Sequence, residues 1–207
     1  MEQAQIPAPT PEQLDFYQKW WSSLSPPWKI AYNEVCLGRS VEAELPMNVL
    51  HDVFHAPALR FAGPAAPFPN MSIELDNLDG IAVFPKLDIF VFTHHKIKSL
   101  APLAKLPRLK SLFVFDNQIT ALDGVEALTD LRELYFQGNR VESLRPLEHL
   151  TQLQNLYCPN NRLRALDGIG KQHAATLKQF VCLPNDELPD AEIIRMEREV
   201  GIRCQKG

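Results

Sequence analysis

Asparagine returns at a fixed interval through the second half of the chain. Asn117, Asn139 and Asn161 are 22 residues apart, and Asn185 follows after 24. Apolar residues hold constant offsets around each one. One unit runs Leu109, Leu112, Val114, Asn117, Ile119, Leu122, Val125, Leu128; the next runs Leu131, Leu134, Phe136, Asn139, Val141, Leu144, Leu147, Leu150. A third has Leu153, Leu156, Cys158, Asn161 and Leu163. Stepping back gives Leu87, Phe90, Phe92, His95 and Ile97, with a partial unit before it at Leu75, Leu78, Ile81 and Phe84. Such a period means a solenoid, because one unit cannot bury its own apolar face and neighbours must stack.

Within each unit two apolar residues are two apart, so they share one face of a short strand. The asparagine follows where the chain leaves the strand. Its amide has donors and an acceptor, suited to backbone groups of its own unit and the next. His95 breaks this column and offers fewer bonds, so its turn is expected to be the irregular one. The convex returns, Leu122-Asp123-Gly124-Val125 and Leu144-Arg145-Pro146-Leu147 among them, carry turn chemistry and suit short 3₁₀ turns.

The pattern L-x-x-L-x-L-x-x-N-x-L resembles the leucine-rich repeat family, and its 22-residue period resembles the subclass of internalins and a phosphatase regulatory subunit. The resemblance covers about residues 73–186. The fold it implies is an α/β, short, right-handed leucine-rich repeat solenoid with a parallel concave β-sheet and a helical N-terminal cap. The stretch Trp20–Lys29 is similar to the start of stand-alone bacterial leucine-rich repeat proteins.

Solenoid ends need caps. Thr10, Pro11 and Gln13 have the spacing of a capping box and open a helix. Ser25-Pro26 opens a second, ending near Leu37-Gly38, and a third spans about Pro46–His55. The tryptophans Trp20, Trp21 and Trp28 are read as packing against the first repeat. Residues 56–70 hold four prolines and read as a connector rather than a regular element. Pro189–Val200 reads as a helix and Gly201–Cys204 as a last strand. The expected division is 1–9 flexible N-terminus, 10–70 cap and Pro-rich connector, 71–186 repeats, and 187–207 helix-strand cap.

The net charge, 21 − 25 = −4, argues against a nucleic-acid binder with a broad basic surface. No apolar run is long enough to span a bilayer, and the start lacks a signal peptide, so the cytoplasm is the expected compartment. The cysteines Cys36, Cys158, Cys182 and Cys204 form no C-x-x-C pair and are expected as free, packed thiols. His51 and His55 share a helix face at metal-ligand spacing, but a third ligand is missing nearby. His94, His95 and Asp116 lie on adjacent units without a placed nucleophile. A metal-dependent hydrolase is therefore the remote alternative; the chain is expected to be no enzyme and to need no metal or cofactor.

The functional signal lies in the positions that alternate with the core. The central outward column reads Val91, Phe113, Tyr135, Tyr157, Val181, and the next Thr93, Phe115, Gln137, Pro159, Leu183. An apolar stripe on an outward face marks an interaction surface. The expected function is non-catalytic binding of a protein or peptide through Val91, Phe113, Phe115, Tyr135, Gln137, Tyr157, Val181 and Leu183. The alternative is a homodimer closed by the same stripe. On the binding reading, removing a central ring leaves stability nearly unchanged.

Overall fold

A computed structural model describes residues 6–207. The expectation of a flexible start over 1–9 lies in part outside the described residues. The elements in chain order are α1 (Pro11–Ser23), α2 (Pro26–Leu37), α3 (Met47–His55), β1 (Ala58–Ala62), β2 (Ile89–Thr93), β3 (Ser111–Phe113), β4 (Glu133–Tyr135), β5 (Asn155–Tyr157), β6 (Gln179–Leu183), α4 (Asp190–Arg195) and β7 (Gln205–Lys206). The strands form one seven-stranded sheet in sequential order, parallel throughout. Short 3₁₀ turns at 101–105, 125–127, 145–147 and 171–173 lie on the return path. No helix is long and apolar enough to cross a membrane among the described residues.

The register follows the repeat, with Leu112 opposite Leu134 and Leu134 opposite Leu156. All of these leucines are fully buried, in one core that runs from α1 to Cys204. The asparagines tie the stack together. Asn139 Nδ2 donates to Val114 O at 3.0 Å and Phe136 O at 2.9 Å, while its Oδ1 accepts from Ile119 N at 3.0 Å. Asn161 repeats that set one unit on, with Phe136 O, Cys158 O and Val141 N. Each amide thus satisfies buried backbone groups of two successive units. In the stretched last unit the pattern slips: Asn185 Oδ1 accepts from Asn161 N instead.

His95 is the irregular position, as its chemistry demands. Its Nδ1 takes over the acceptor role, receiving Leu75 N–H at 3.2 Å, but its Nε2 and the Oδ1 of Asn117 are buried without partners. The ring instead packs on Phe92, centroids 4.2 Å apart. On the return path, Gly168 has φ 99°, and a Cβ there would lie 2.1 Å from Leu144 O. The Asp-Gly pairs are accordingly turn residues.

At the N-terminal end the capping box of Thr10 and Gln13 is formed, and Gly38 closes α2 in the left-handed conformation. Trp20, Trp21 and Trp28 are all buried. Trp28 Nε1 donates to Asn77 Oδ1 at 2.8 Å, Tyr32 Oη to Gly80 O at 2.9 Å, and a Cβ on Gly80 would enter the Trp28 ring at 2.4 Å. These aromatics close the first repeat.

One expectation fails here. Residues 56–70 contain β1, a five-residue strand paired with β2 from Ala58–Ile89 to Ala62–Thr93. Leu59 and Phe61 point into the core, and Phe61 is fully buried. The partial unit at Leu75–Phe84 is therefore the return path of a whole repeat whose strand is β1. The outer edge of β1 is blunted from within the chain: Asn70 accepts from Ala62 N and donates to Arg60 O, and Asn70 N and Met71 N both donate to Ala62 O. That satisfies groups which would otherwise invite another strand. At the C-terminal end, α4 continues as a wider turn over 196–200, and pairing begins at Gln205, just beyond the expected Gly201–Cys204.

Candidate protein-binding face

The pairing register sets Arg60, Val91, Phe113, Tyr135, Tyr157 and Val181 in one row across the sheet, on the side away from the core. The Phe113 and Tyr135 rings stack at 4.8 Å and 28°, and Tyr135 and Tyr157 at 4.5 Å and 11°. That spacing is the distance between strands, ~4.8 Å, so the sheet itself builds the stack. All three rings are half-buried. Because the faces cover one another, solvent meets a ridge of ring edges ending in the Tyr135 and Tyr157 hydroxyls. Burial, then Glu133 and Tyr157, push the Tyr135 phenol up, so its hydroxyl is neutral and free to donate. Tyr157 Oη donates to Gln179 Oε1 at a long 3.4 Å.

A polar row and a mixed row flank the ridge. On one side Glu133 accepts from Ser111 Oγ at 2.7 Å and from Asn155 Nδ2 at 3.1 Å. Beyond it Lys110 pairs with Asp88 at 2.9 Å. On the other side Phe115 and Gln137 are half-buried, with Phe115 edge-on to His94 at 5.7 Å. Thr93 and Pro159 in the same row are buried.

Val181 departs from the expected stripe, for it is only 3% exposed. Gly207 N donates to Leu183 O at 2.9 Å, and the Gly207 Cα lies so close that an added Cβ would be 3.1 Å from Val181 Cγ1. The segment after β7 thus covers this end of the row, and Leu183 stays half-buried beside it. The open ridge runs from Val91 to Tyr157. At its other end stands Arg60, which sequence reasoning missed together with β1. The Arg60 guanidinium donates to Phe68 O, and Phe68 itself, set between Pro67 and Pro69, is 81% exposed.

A second row escaped the sequence reading. The residues just before the ladder positions, His94, Asp116, Gly138 and Asn160, all have left-handed backbones, with φ of 58°, 54°, 68° and 56°. Asp, Asn, His and Gly are the types that tolerate this conformation, and that composition was the available signal. It explains why His94 Nε2 and Asp116 Oδ2 meet at 3.2 Å: equivalent turn positions of adjacent repeats bring them together. His51 and His55 are equally committed to the fold. The His51 ring bonds Pro7 O through Nε2 at 2.9 Å and Tyr17 Oη through Nδ1 at 3.2 Å, and His55 Nδ1 donates to His51 O. No group of three or more His, Cys, Asp or Glu is placed to hold a metal ion among the described residues. Cys158 and Cys182 are fully buried and Cys204 nearly so; burial raises the Cys158 thiol far above its ordinary range, and that of Cys36 to about 11.

With this geometry in view, the comparisons agree on the class. Residues 129–171 match the family model for leucine rich repeats in two copies. An internalin of Listeria monocytogenes superposes on 58% of this chain and 34% of its own, with TM-score 0.53 and 21% identity. A leucine-rich repeat protein of Leptospira interrogans superposes on 79% of this chain and 40% of its own, with TM-score 0.59 and 20% identity. The chain therefore spans well under half the length of either. No curated protein matches the sequence. The fold is that of an open leucine-rich repeat solenoid, and residues 129–171 are leucine-rich repeats.

Proposed function

We propose that this chain is a non-catalytic binding module that recognises a protein or peptide through the ridge of Val91, Phe113, Tyr135 and Tyr157, with Phe115 and Gln137 beside it. One observation carries the reading: three stacked, half-buried rings stand in the outward row of an open sheet. There an uncommitted soluble face would favour polar side chains. Aromatic rings presented rigidly are the residues that anchor interfaces. The coverage of Val181 narrows the site to the middle of the sheet. Leu183 belongs to its margin.

The test is a partner found by cross-linking at the ridge and then measured with purified components. Tyr157→Ala is expected to weaken binding by about 30-fold, the loss of one hot-spot ring at ~2 kcal/mol. Full affinity in a folded Tyr135→Ala/Tyr157→Ala double variant would remove this face as the site. Light scattering during size-exclusion chromatography addresses the homodimer. A dimeric mass that both substitutions return to monomer would make a second copy the occupant.

A further inference from the structure

Away from the sheet, α1 and α3 meet the first return segment around a groove of about 320 Å³. Its inner wall is aromatic. Tyr17 and Phe54 stack at 4.4 Å, and Phe16 packs edge-on to Phe54 at 5.5 Å. Phe16 stays 46% exposed, although α1 has a buried side in which it takes no full part. Val83 and Pro85 form the opposite wall. Such a volume is at the small end of ligand sites, ~300–1,000 Å³, which are mostly apolar with a few placed polar groups.

The charged group lining the groove is the Lys86 ammonium, with Gln13 and His55 as further polar neighbours. Lys86 and His55 line the groove and no acidic side chain does, in a chain whose net charge is −4. Neither residue is in an ion pair among the described residues. His55 Nδ1 donates to His51 O at 2.9 Å, so Nε2 is the ring's acceptor and Lys86 is left as the donor for a carboxylate. A cation beside an apolar wall suits a molecule with an apolar body and a carboxylate, because the charge-assisted hydrogen bond forms at the edge of a desolvated surface.

We propose that this groove binds a small apolar carboxylate, an aryl or alkyl acid. Its body lies against Phe16 and Phe54, and its carboxylate meets Lys86. The site is independent of the ridge on the sheet. The probe is 3-phenylpropionate, titrated into the full chain and followed by amide chemical shifts. Saturable shifts are expected to be confined to α1, α3 and residues 82–86. 3-Phenylpropanol, with the body but no charge, and acetate, with the charge but no body, should each bind about tenfold more weakly. Lys86→Gln and Phe16→Ala should each weaken the acid by a similar factor. Lys86 is exposed, so Lys86→Gln should keep the wild-type melting temperature; Phe16→Ala loses the edge contacts to Tyr17 and Phe54 and should melt lower while still folded in the titration. Tyr135→Ala should leave the titration unchanged, which separates this site from the ridge. Absence of saturable shifts at the groove would overturn the proposal. So would equal affinity for the acid and the alcohol, or undiminished binding to Lys86→Gln.

Discussion

At the residue scale the ladder sorts its members by hydrogen-bond capacity. Asn139 satisfies three backbone groups across two repeats, so Asn139→Ala leaves buried partners unmet. It is expected to cost ~1–3 kcal/mol, read as a lower urea midpoint at unchanged slope. His95 is the weak rung, and burial lowers its pKa to about 4. Desolvation is the leading cause, offset in part by the Phe61 carbonyl and Glu74. The folded state therefore favours the neutral ring. Between the ordinary value, ~6.5, and about 4 the unfolded chain binds more protons, so stability is full above that window and falls as the pH drops through it. The loss attributable to His95 is up to about 3 kcal/mol. His95→Asn restores the ladder amide and removes this slope. Urea midpoints at pH 7 and pH 4.5 are expected to differ more in wild type than in His95→Asn; parallel curves would clear His95 of the effect.

At the element scale the stacked strands explain what the sequence disclosed and what it hid. Every strand from β2 to β6 was legible, because the two inward residues precede an asparagine or its histidine substitute at a fixed distance. β1 was not. Phe61 is followed by the detour through residues 63–70, and the amide that bonds this strand, Asn70, comes nine residues later instead of the three that separate Val114 from Asn117. Four prolines over residues 56–70 then outweighed a single Leu-x-Phe alternation. The outward row was legible as a column, but not as a stack, because only the register brings the ring planes together. That stack alters the expectation that a central ring can be removed without cost. Tyr135 stacks on both neighbours, and each aromatic pair contributes ~0.5–1.5 kcal/mol. Tyr135→Ala is therefore expected to destabilise by ~1–3 kcal/mol, and Tyr157→Ala by about half as much. A double-mutant cycle on the pair should return a coupling of ~1 kcal/mol. Zero coupling would mean that the rings are independent in solution.

At the scale of the whole molecule the chain is a short stack in which each repeat touches only its neighbours, closed by an aromatic helical cap at one end and α4 with β7 at the other. Stability in such an array is close to a sum of unit and interface terms, so damage in the middle and at an end should differ in kind. Leu134 and Met196 are both fully buried, one at the centre and one in the C-terminal cap. Leu134→Ala breaks two interfaces at once, and is expected to lower the whole unfolding transition by ~2–5 kcal/mol with its slope intact. Met196→Ala costs a comparable transfer energy but can be absorbed by opening the last unit alone. The cysteines report the difference. Cys158 directly follows β5, Cys182 lies in β6 and Cys204 directly precedes β7, all in one core, so a thiol reagent reaches them in order as the end frays. In Met196→Ala, labelling of Cys204 and then Cys182 should accelerate at urea concentrations where Cys158 is still protected. In Leu134→Ala all three should become reactive together, at the global midpoint. Simultaneous labelling in both variants would show that the cap and the repeats unfold as a single unit. The burial of Val181 beneath Gly207 would then be as permanent as the core, and the open ridge would keep its present limits under all native conditions.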